Sequence, residues 1–225
     1  MKKPLVFFLI FLSGCKTPGF FISPNDVHKE KVIVYFKNQE KISGVINISM
    51  EYGSAMHPDF KPILEIMPEG KTTWQNLNIS DITAYSLGSD YYPVKRLDVD
   101  MNGALYLLFV KRLTAENSKI QLYELYQSGK ANYTGDATTT YFLSFPGYGP
   151  LETLNAKSSK LVPNFDLKMS SMVEDCPNLE KKIRKREKGY FLSLGTFNIK
   201  TTPTVLMTII NEYDSCNLSG NLPAR

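Results

Sequence analysis

The stretch KVIVYFKNQEKISGVINI, residues 31–48, decides the class of fold of this chain. Its first part is rich in β-branched and aromatic residues, and its last part alternates apolar residues with polar or small ones. Both patterns are typical of strands, whereas the polar Asn38-Gln39-Glu40 between them is typical of a turn. We therefore expect a β-hairpin at this point.

Further runs typical of strands follow the hairpin at roughly ten-residue spacing. They cover residues 62–67, 72–77, 82–87, 91–97, 104–113, 119–126 and 138–145. The run at 104–113 is apolar at both sets of alternating positions, which predicts a strand buried on both faces. Prolines and glycines at 146–150 end the series, and the whole favours an antiparallel meander or a partly closed barrel.

The last third of the chain has helical patterns instead. Residues 163–173 predict a short helix, and residues 177–189 predict a clearer one that opens with proline and closes with glycine. A third helix is expected from Thr202, while residues 190–199 fit either a strand or an extended connector. The apolar face of the third helix would hold Val205, Leu206, Ile209, Ile210 and Tyr213.

Together these patterns predict an α+β protein. An antiparallel β-rich part at residues 31–155 would be followed by a smaller helical part at residues 156–216, packed on it as one domain. Residues 217–225 are expected to form a flexible tail.

The start of the chain has the features of a targeting segment. Two lysines precede an apolar run at residues 5–12, which is shorter than the roughly 20 residues of a transmembrane helix. This arrangement is typical of a secretory signal peptide, here residues 1–14. The residues Leu12-Ser13-Gly14-Cys15 resemble the lipobox of bacterial lipoproteins at all four positions. The alternative is an ordinary secretory signal that happens to contain a cysteine.

The lipobox resemblance implies a diacylglyceryl group on the Cys15 sulfur, cleavage before Cys15, and acylation of the new amino group. Two or more acyl chains hold a protein stably at a membrane. The expected partner is therefore the lipid bilayer, reached through acylated Cys15 and a tether at residues 15–30. Lys16 stands where aspartate often signals inner-membrane retention in this family, which favours the periplasmic face of the outer membrane.

The charge balance restricts the partners. The formal net charge is +4, and removal of Lys2 and Lys3 with the signal peptide leaves 24 basic against 22 acidic residues, or +2. A nucleic-acid-binding domain is usually far more basic, so no nucleic-acid partner is expected. Walker and G-x-G-x-x-G loops are missing from the sequence, and no cofactor is expected.

Cys176 and Cys216 remain once Cys15 carries lipid. An even pair in an oxidising compartment favours a disulfide, which would stabilise the fold by up to ~4 kcal/mol through loop closure. Two separate buried thiols are the alternative. A metal site is disfavoured, because no histidine or further cysteine lies nearby at ligand spacing.

A second resemblance involves the C-terminal part. Asp175-Cys176-Pro177-x-Leu179, followed by Tyr213-x-x-Cys216 and preceded by the opening hairpin, resembles envelope lipoproteins and exported proteins of Bacteroidota. The resemblance is compatible with the disulfide and with an envelope location. It implies no activity.

No catalytic residue is predicted. The two histidines are His28, near the tether, and His57, in a loop that lacks a nucleophile and an orienting acid in a recognisable arrangement. Motifs of serine hydrolases and zinc proteases are missing. Catalysis by carboxylates alone remains an alternative, since such residues pair only in space. The acidic residues on or beside strands are Glu65, Asp98, Asp100 and Glu124.

No metal is predicted either. Asp98-x-Asp100-x-Asn102-Gly103 imitates the start of a calcium loop. The bidentate glutamate of such a loop would fall at position 109, which is Phe109. We therefore expect a polar turn.

Two groups of residues are candidates for surface contacts. A basic run would lie on the second helix and comprises Lys181, Lys182, Arg184, Lys185, Arg186 and Lys188. It would contact anionic headgroups or a partner, or simply form a solvated face near a helix C-terminus. Trp74, Tyr91, Tyr92 and Tyr148 would form either a binding face or part of the core.

The preferred function is a non-catalytic, membrane-anchored lipoprotein of the cell envelope that binds an envelope protein or glycan or assists assembly. The alternatives are an envelope hydrolase with paired carboxylates and a binder of glycans or small ligands. Two carboxyl groups facing each other across a cleft would favour the hydrolase, and a pocket with converging polar groups would favour the binder.

Overall fold

The computed structural model describes residues 23–51, 61–99, 103–127, 137–193, 195 and 200–219. This part of the chain contains two antiparallel sheets and three α-helices, which confirms the α+β class. The proposed signal peptide, Cys15, His57 and Asp100 lie outside the described residues.

The first sheet is antiparallel throughout and curls like half of a barrel. Its strands are β1 Val27–Phe36, β2 Lys41–Glu51, β3 Lys61–Pro68, β4 Gln75–Leu77, β5 Ile82–Leu87, β6 Asp90–Leu97 and β7 Tyr106–Phe109. Their order across the sheet is β4-β3-β2-β1-β5-β6-β7, so consecutive strands are mostly neighbours. A single 3₁₀ turn, Ile79–Asp81, precedes β5.

The predicted hairpin is confirmed as β1 and β2. Val32 lies opposite Gly44 and Val34 lies opposite Ile42, and the alternating valines are buried as the periodicity requires. The inner face of the sheet forms a core of its own. Its members include Val32, Val34, Ile46, Ile48, Leu64, Ile66, Tyr85, Tyr92 and Phe109.

The second sheet has four strands in the order β11-β10-β9-β8. They are β8 Lys111–Arg112, β9 Gln121–Gln127, β10 Thr138–Ser144 and β11 Leu154–Asn155. The single strand expected at 104–113 is therefore wrong. The chain leaves the first sheet after Phe109 and joins the second at Lys111, with the Val110 N–H bonded to the Pro93 carbonyl at 3.1 Å. Leu108, Phe109 and Val110 are buried, whereas Leu105 is 58% exposed.

The helices are α1 Phe165–Met172, α2 Pro177–Arg184 and α3 Thr201–Ser219. α2 ends five residues earlier than position 189, because Arg186 has a positive φ of 54° and turns the chain. Lys185, Arg186 and Lys188 are therefore not on the helix, which corrects the predicted single basic helix face. α3 continues beyond residue 216, into the segment predicted as tail.

The helices pack on the second sheet. Leu179 and Ile183 of α2 are fully buried in a core that also contains Leu122 of β9 and Leu143 of β10. A smaller cluster joins the two sheets. It contains Leu97, Leu108, Val110, Tyr123, Leu125 and Phe142.

The residues before β1 belong to the fold. The buried Asn25 side chain donates to the Phe109 carbonyl at 3.0 Å and accepts from the Phe109 N–H at 2.8 Å. The buried Tyr85 hydroxyl donates to the Pro24 carbonyl at 2.9 Å. The predicted tether at 15–30 is thus wrong from residue 23 onward, because this turn satisfies the backbone of the edge strand β7.

Cys176 and Cys216 form the predicted disulfide, with their Cα atoms 6.1 Å apart. The bond joins the residue before α2 to α3 across 40 residues. Among the described residues, none of the helices combines the length and apolarity needed to cross a bilayer.

Candidate functional site

The first candidate site is a cleft of about 550 Å³ between the two sheets, here called the carboxylate cleft. The β5–β6 turn contributes one wall, and β8 and β9 contribute the other. The lining residues that carry polar groups are Glu30, Asp90, Tyr92, Lys111, Glu124 and Tyr126.

Groups of the protein itself hold two of the three carboxylates in this cleft. Lys111 Nζ lies 2.7 Å from Asp90 Oδ2, and the Tyr92 hydroxyl donates to the same oxygen at 3.2 Å. Glu124 is hydrogen-bonded to Tyr141, and burial together with the Glu124 charge raises the pKa of Tyr141 to about 12. Burial and the Asp90 charge also raise the pKa of Tyr92. These tyrosines therefore remain protonated donors, and the carboxylates act as fixed acceptors.

The second candidate site is a cleft of about 580 Å³ at the end of β6, here called the loop cleft. Arg96 lies on β6, Asp98 follows β6, and Leu105 precedes β7. Tyr148 lies in the loop after β10. The remaining residues are Glu152, Thr153, Leu154, Asn155, Ser158, Ser159 and Lys160.

Hydrogen bonds to main-chain carbonyl groups fix the walls of the loop cleft. The Arg96 N–H donates to the Leu151 carbonyl at 2.8 Å, and the Thr153 hydroxyl donates back to the Arg96 carbonyl at 2.9 Å. The buried Lys95 amine donates to the Pro150 carbonyl at 2.5 Å. Burial and the nearby Arg112 charge lower the pKa of Lys95. Lys95 thus holds the loop that carries Tyr148 against β6.

The carboxylates of the loop cleft bind backbone donors. Glu152 Oε2 accepts from the Gly149 N–H at 3.0 Å, and both Asp98 oxygens accept from the Gly103 N–H at 3.3 Å. The polar turn expected from Asp98 to Gly103 lies partly outside the described residues, so it stays a prediction. Among the described residues no group of three or more acidic, histidine or cysteine side chains is arranged to hold a metal ion.

The predicted basic run is divided into paired and unpaired residues. Lys182 Nζ lies 2.9 Å from Glu212 Oε1, Arg184 pairs with Glu180, and Arg186 Nε lies 3.0 Å from Asp166 Oδ2. Lys181, Lys185 and Lys188 are exposed without an ion pair to any described residue. Three residues of the run thus form ion pairs within the helical part. Contact of the run with a membrane or a partner stays a prediction.

The aromatic residues considered as one binding face lie in different places. Tyr92 is stacked on Tyr85 in the first core, with ring centroids 4.7 Å apart. Tyr91 lies under the Arg112 guanidinium at 4.4 Å. Trp74 is 38% exposed beside β4, whereas Tyr148 lines the loop cleft. Only Tyr148 is therefore both exposed and part of a cleft.

The remaining polar candidates, His28 and Glu65, do not line either cleft. His28 Nε2 lies 2.7 Å from Asp26 Oδ1 at the surface, and Glu65 lies on β3 opposite Asn47. A groove of about 400 Å³ also lies on the first sheet beside Ile33 and Gly44.

Sequence reasoning missed Arg96, Ser158 and Lys160 as site residues. They come together because Arg96 and residues 151–153 are hydrogen-bonded across more than 50 positions of the chain. The one local signal was a tyrosine between two glycines at 147–149, which predicts an exposed loop.

Comparison of the chain with protein-family models, with curated proteins and with solved structures found no match.

Proposed function

We propose that this protein is a lipid-anchored, non-catalytic binding protein of the cell envelope. The observation that carries the proposal is the Cys176–Cys216 disulfide. The chain has three cysteines, so this pairing leaves Cys15 of the lipobox-like sequence as the one thiol available for acylation. Because disulfides persist in oxidising compartments, the bond supports an extracytoplasmic location independently of the N-terminal pattern.

The clefts support binding as the role of the folded part. Protein donors engage Asp90 and Glu124 in the carboxylate cleft, and backbone N–H groups engage Asp98 and Glu152 in the loop cleft. These bonds hold the polar walls of both clefts in place, and a preformed cleft with a few polar groups is typical of a ligand-binding site. The partners in this proposal are the bilayer, through Cys15, and an envelope glycan or protein.

The anchor is tested by expressing the full chain in a Gram-negative host supplied with an alkyne-labelled palmitate. We expect label on the wild-type chain, none on Cys15→Ser, and label on the matched control Cys176→Ser. Mass spectrometry should show an acylated Cys15 as the new N-terminus. An unlabelled wild-type chain, or one that retains Met1, contradicts the proposal. Cleavage without label supports the ordinary secretory signal instead.

A carboxylate hydrolase is the second candidate, because Glu30, Asp90 and Glu124 line one cleft. This candidate requires glycan turnover by the full chain that is lost in Glu124→Gln or Asp90→Asn. Turnover that survives both changes removes it.

A further inference from the structure

We propose that the loop cleft binds a carboxylate-bearing sugar of an acidic glycan. This inference rests on the proposed binding function and names its ligand class. It concerns the chemistry of the cleft formed by Arg96, Tyr148, Ser158 and Lys160.

Two cationic side chains in the loop cleft are available to a ligand. Arg96 and Lys160 are exposed in the cleft, and neither side chain forms an ion pair with a described residue. The two carboxylates of the cleft, by contrast, already accept N–H groups from Gly103 and Gly149. A ligand that brings a carboxylate would pair with these cations, and a planar guanidinium can bind both carboxylate oxygens at once.

A buried hydroxyl also lacks a partner in the cleft. Ser158 Oγ is shielded from water and has no hydrogen-bond partner within the structure as described. Buried polar atoms are nearly always hydrogen-bonded, and each exception calls for an explanation. Since Ser158 lines the loop cleft, rotation of its side chain toward the cleft would bring this oxygen to a ligand hydroxyl or carboxylate.

The apolar side of the cleft suits a sugar ring. Tyr148 is 36% exposed and Leu105 is 58% exposed, although both are large apolar side chains. Phe145 holds the Tyr148 ring in an edge-on contact with centroids 5.7 Å apart. The negative face of an aromatic ring attracts the polarised C–H groups of a pyranose. An inorganic anion would leave this apolar surface uncovered, which favours an anionic sugar over an anion alone.

The volume is compatible with such a ligand. The cleft of about 580 Å³ lies within the roughly 300–1,000 Å³ of ordinary ligand pockets. Its walls are held by the β6–loop hydrogen bonds and by Lys95, so the site is formed without the ligand.

The test measures binding of tetragalacturonate to the full chain in detergent by isothermal titration calorimetry. Fully methyl-esterified tetragalacturonate is the matched neutral ligand, and sulfate is the simple anion. We expect the ester to bind at least about tenfold more weakly, as loss of a charge-assisted pair requires. Sulfate should bind more weakly than the tetrasaccharide. Equal binding of acid and ester, equal binding of sulfate, or no binding of the acid overturns the proposal.

Variants localise the site. Arg96→Gln and Lys160→Gln should each weaken binding of the acid about tenfold but leave the affinity for the ester nearly unchanged. Tyr148→Ala should weaken both ligands by a similar factor. Lys37→Gln, on the exposed β1–β2 turn, is the matched charge control and should have no effect. Equal effects of Lys37→Gln and Arg96→Gln overturn the assignment to this cleft.

The two proposals fail separately. Cys15→Ser removes the anchor and should leave the affinity for tetragalacturonate unchanged. An acylated chain that does not bind tetragalacturonate overturns the glycan site alone. A chain that binds but carries no lipid overturns the anchor alone.

Discussion

The first sheet and the helical part of this protein are stabilised by different means. In the first sheet, β1 to β4 and β5 to β7 are neighbours in chain order, and the β1–β5 pairing joins the two series. In the helical part, the disulfide and the Lys182–Glu212 ion pair connect α3 to the start and the last turn of α2. Local pairing can build a sheet hairpin by hairpin, whereas the helices rely on links between distant segments. We therefore expect the two regions to respond differently to the loss of single interactions.

The largest effect is expected from Cys176→Ala combined with Cys216→Ala. Loss of the bond should lower the free energy of unfolding by about 4 kcal/mol, since the unfolded chain regains loop entropy. Hydrogen exchange should show α2 and α3 losing protection before β1 and β2. Cys15→Ala is the control and should leave the exchange pattern unchanged. Simultaneous loss of protection in the sheet and the helices contradicts the distinction.

Gly44→Ala should damage the first sheet instead. A Cβ at position 44 would lie 2.4 Å from the Met67 carbonyl oxygen, so β2 and β3 would have to separate. We expect a loss of about 3 kcal/mol, measured by urea unfolding. Ser43→Ala, at an exposed neighbouring position, should change stability little. An equally small effect of both variants would show that β3 can move without cost.

Asn25→Ala tests the contact between the N-terminal turn and β7. The change leaves the buried Phe109 N–H and carbonyl without their side-chain partner. We expect a loss of about 2 kcal/mol. Asn38→Ala, which removes an exposed hydrogen bond to the Glu40 N–H, is the matched control. If the two variants are equally stable, the turn at residues 23–26 contributes nothing to the sheet.

The smallest expected effect is the pH dependence of the α2–α3 ion pair. Burial raises the pKa of Glu212, but hydrogen bonds from Tyr190 and Lys182 outweigh it and hold the pKa below the ordinary 4.5. The stabilisation is therefore complete above that value and is lost as pH falls through the lower pKa of the folded state.

Glu212→Gln should accordingly be slightly less stable than the wild type at about pH 7 and equally stable at about pH 2, as measured by urea unfolding. The effect should be small because the pair is solvent-accessible. Glu187→Gln, at an exposed position in the turn after α2, is the control. A deficit that persists unchanged at low pH contradicts an ionic contribution.

The periodicity of the chain predicted the first sheet well. Val32 and Val34 are buried because a strand places alternate residues on one face, and this depends only on neighbours in the sequence. The disulfide was also predicted, on the assumption that Cys15 carries lipid and leaves two cysteines to pair.

Prediction was poorer at the end of α2 and at the turn before β1. The end of α2 was placed too late, because the favourable helix formers around Arg186 gave no sign of its positive φ. The turn at residues 23–26 resembled a tether, because its partner is Phe109 in a strand far along the chain.

The order of residues by itself determined most strands of the first sheet, the hairpin between residues 31 and 48, and the number of cysteines. These features depend on side-chain periodicity and on counting, which are properties of the chain. Only the tertiary structure decided that Arg96, Tyr148, Ser158 and Lys160 share one cleft. Their proximity follows from hydrogen bonds between β6 and the loop after β10, and no local pattern specifies which backbone groups will meet.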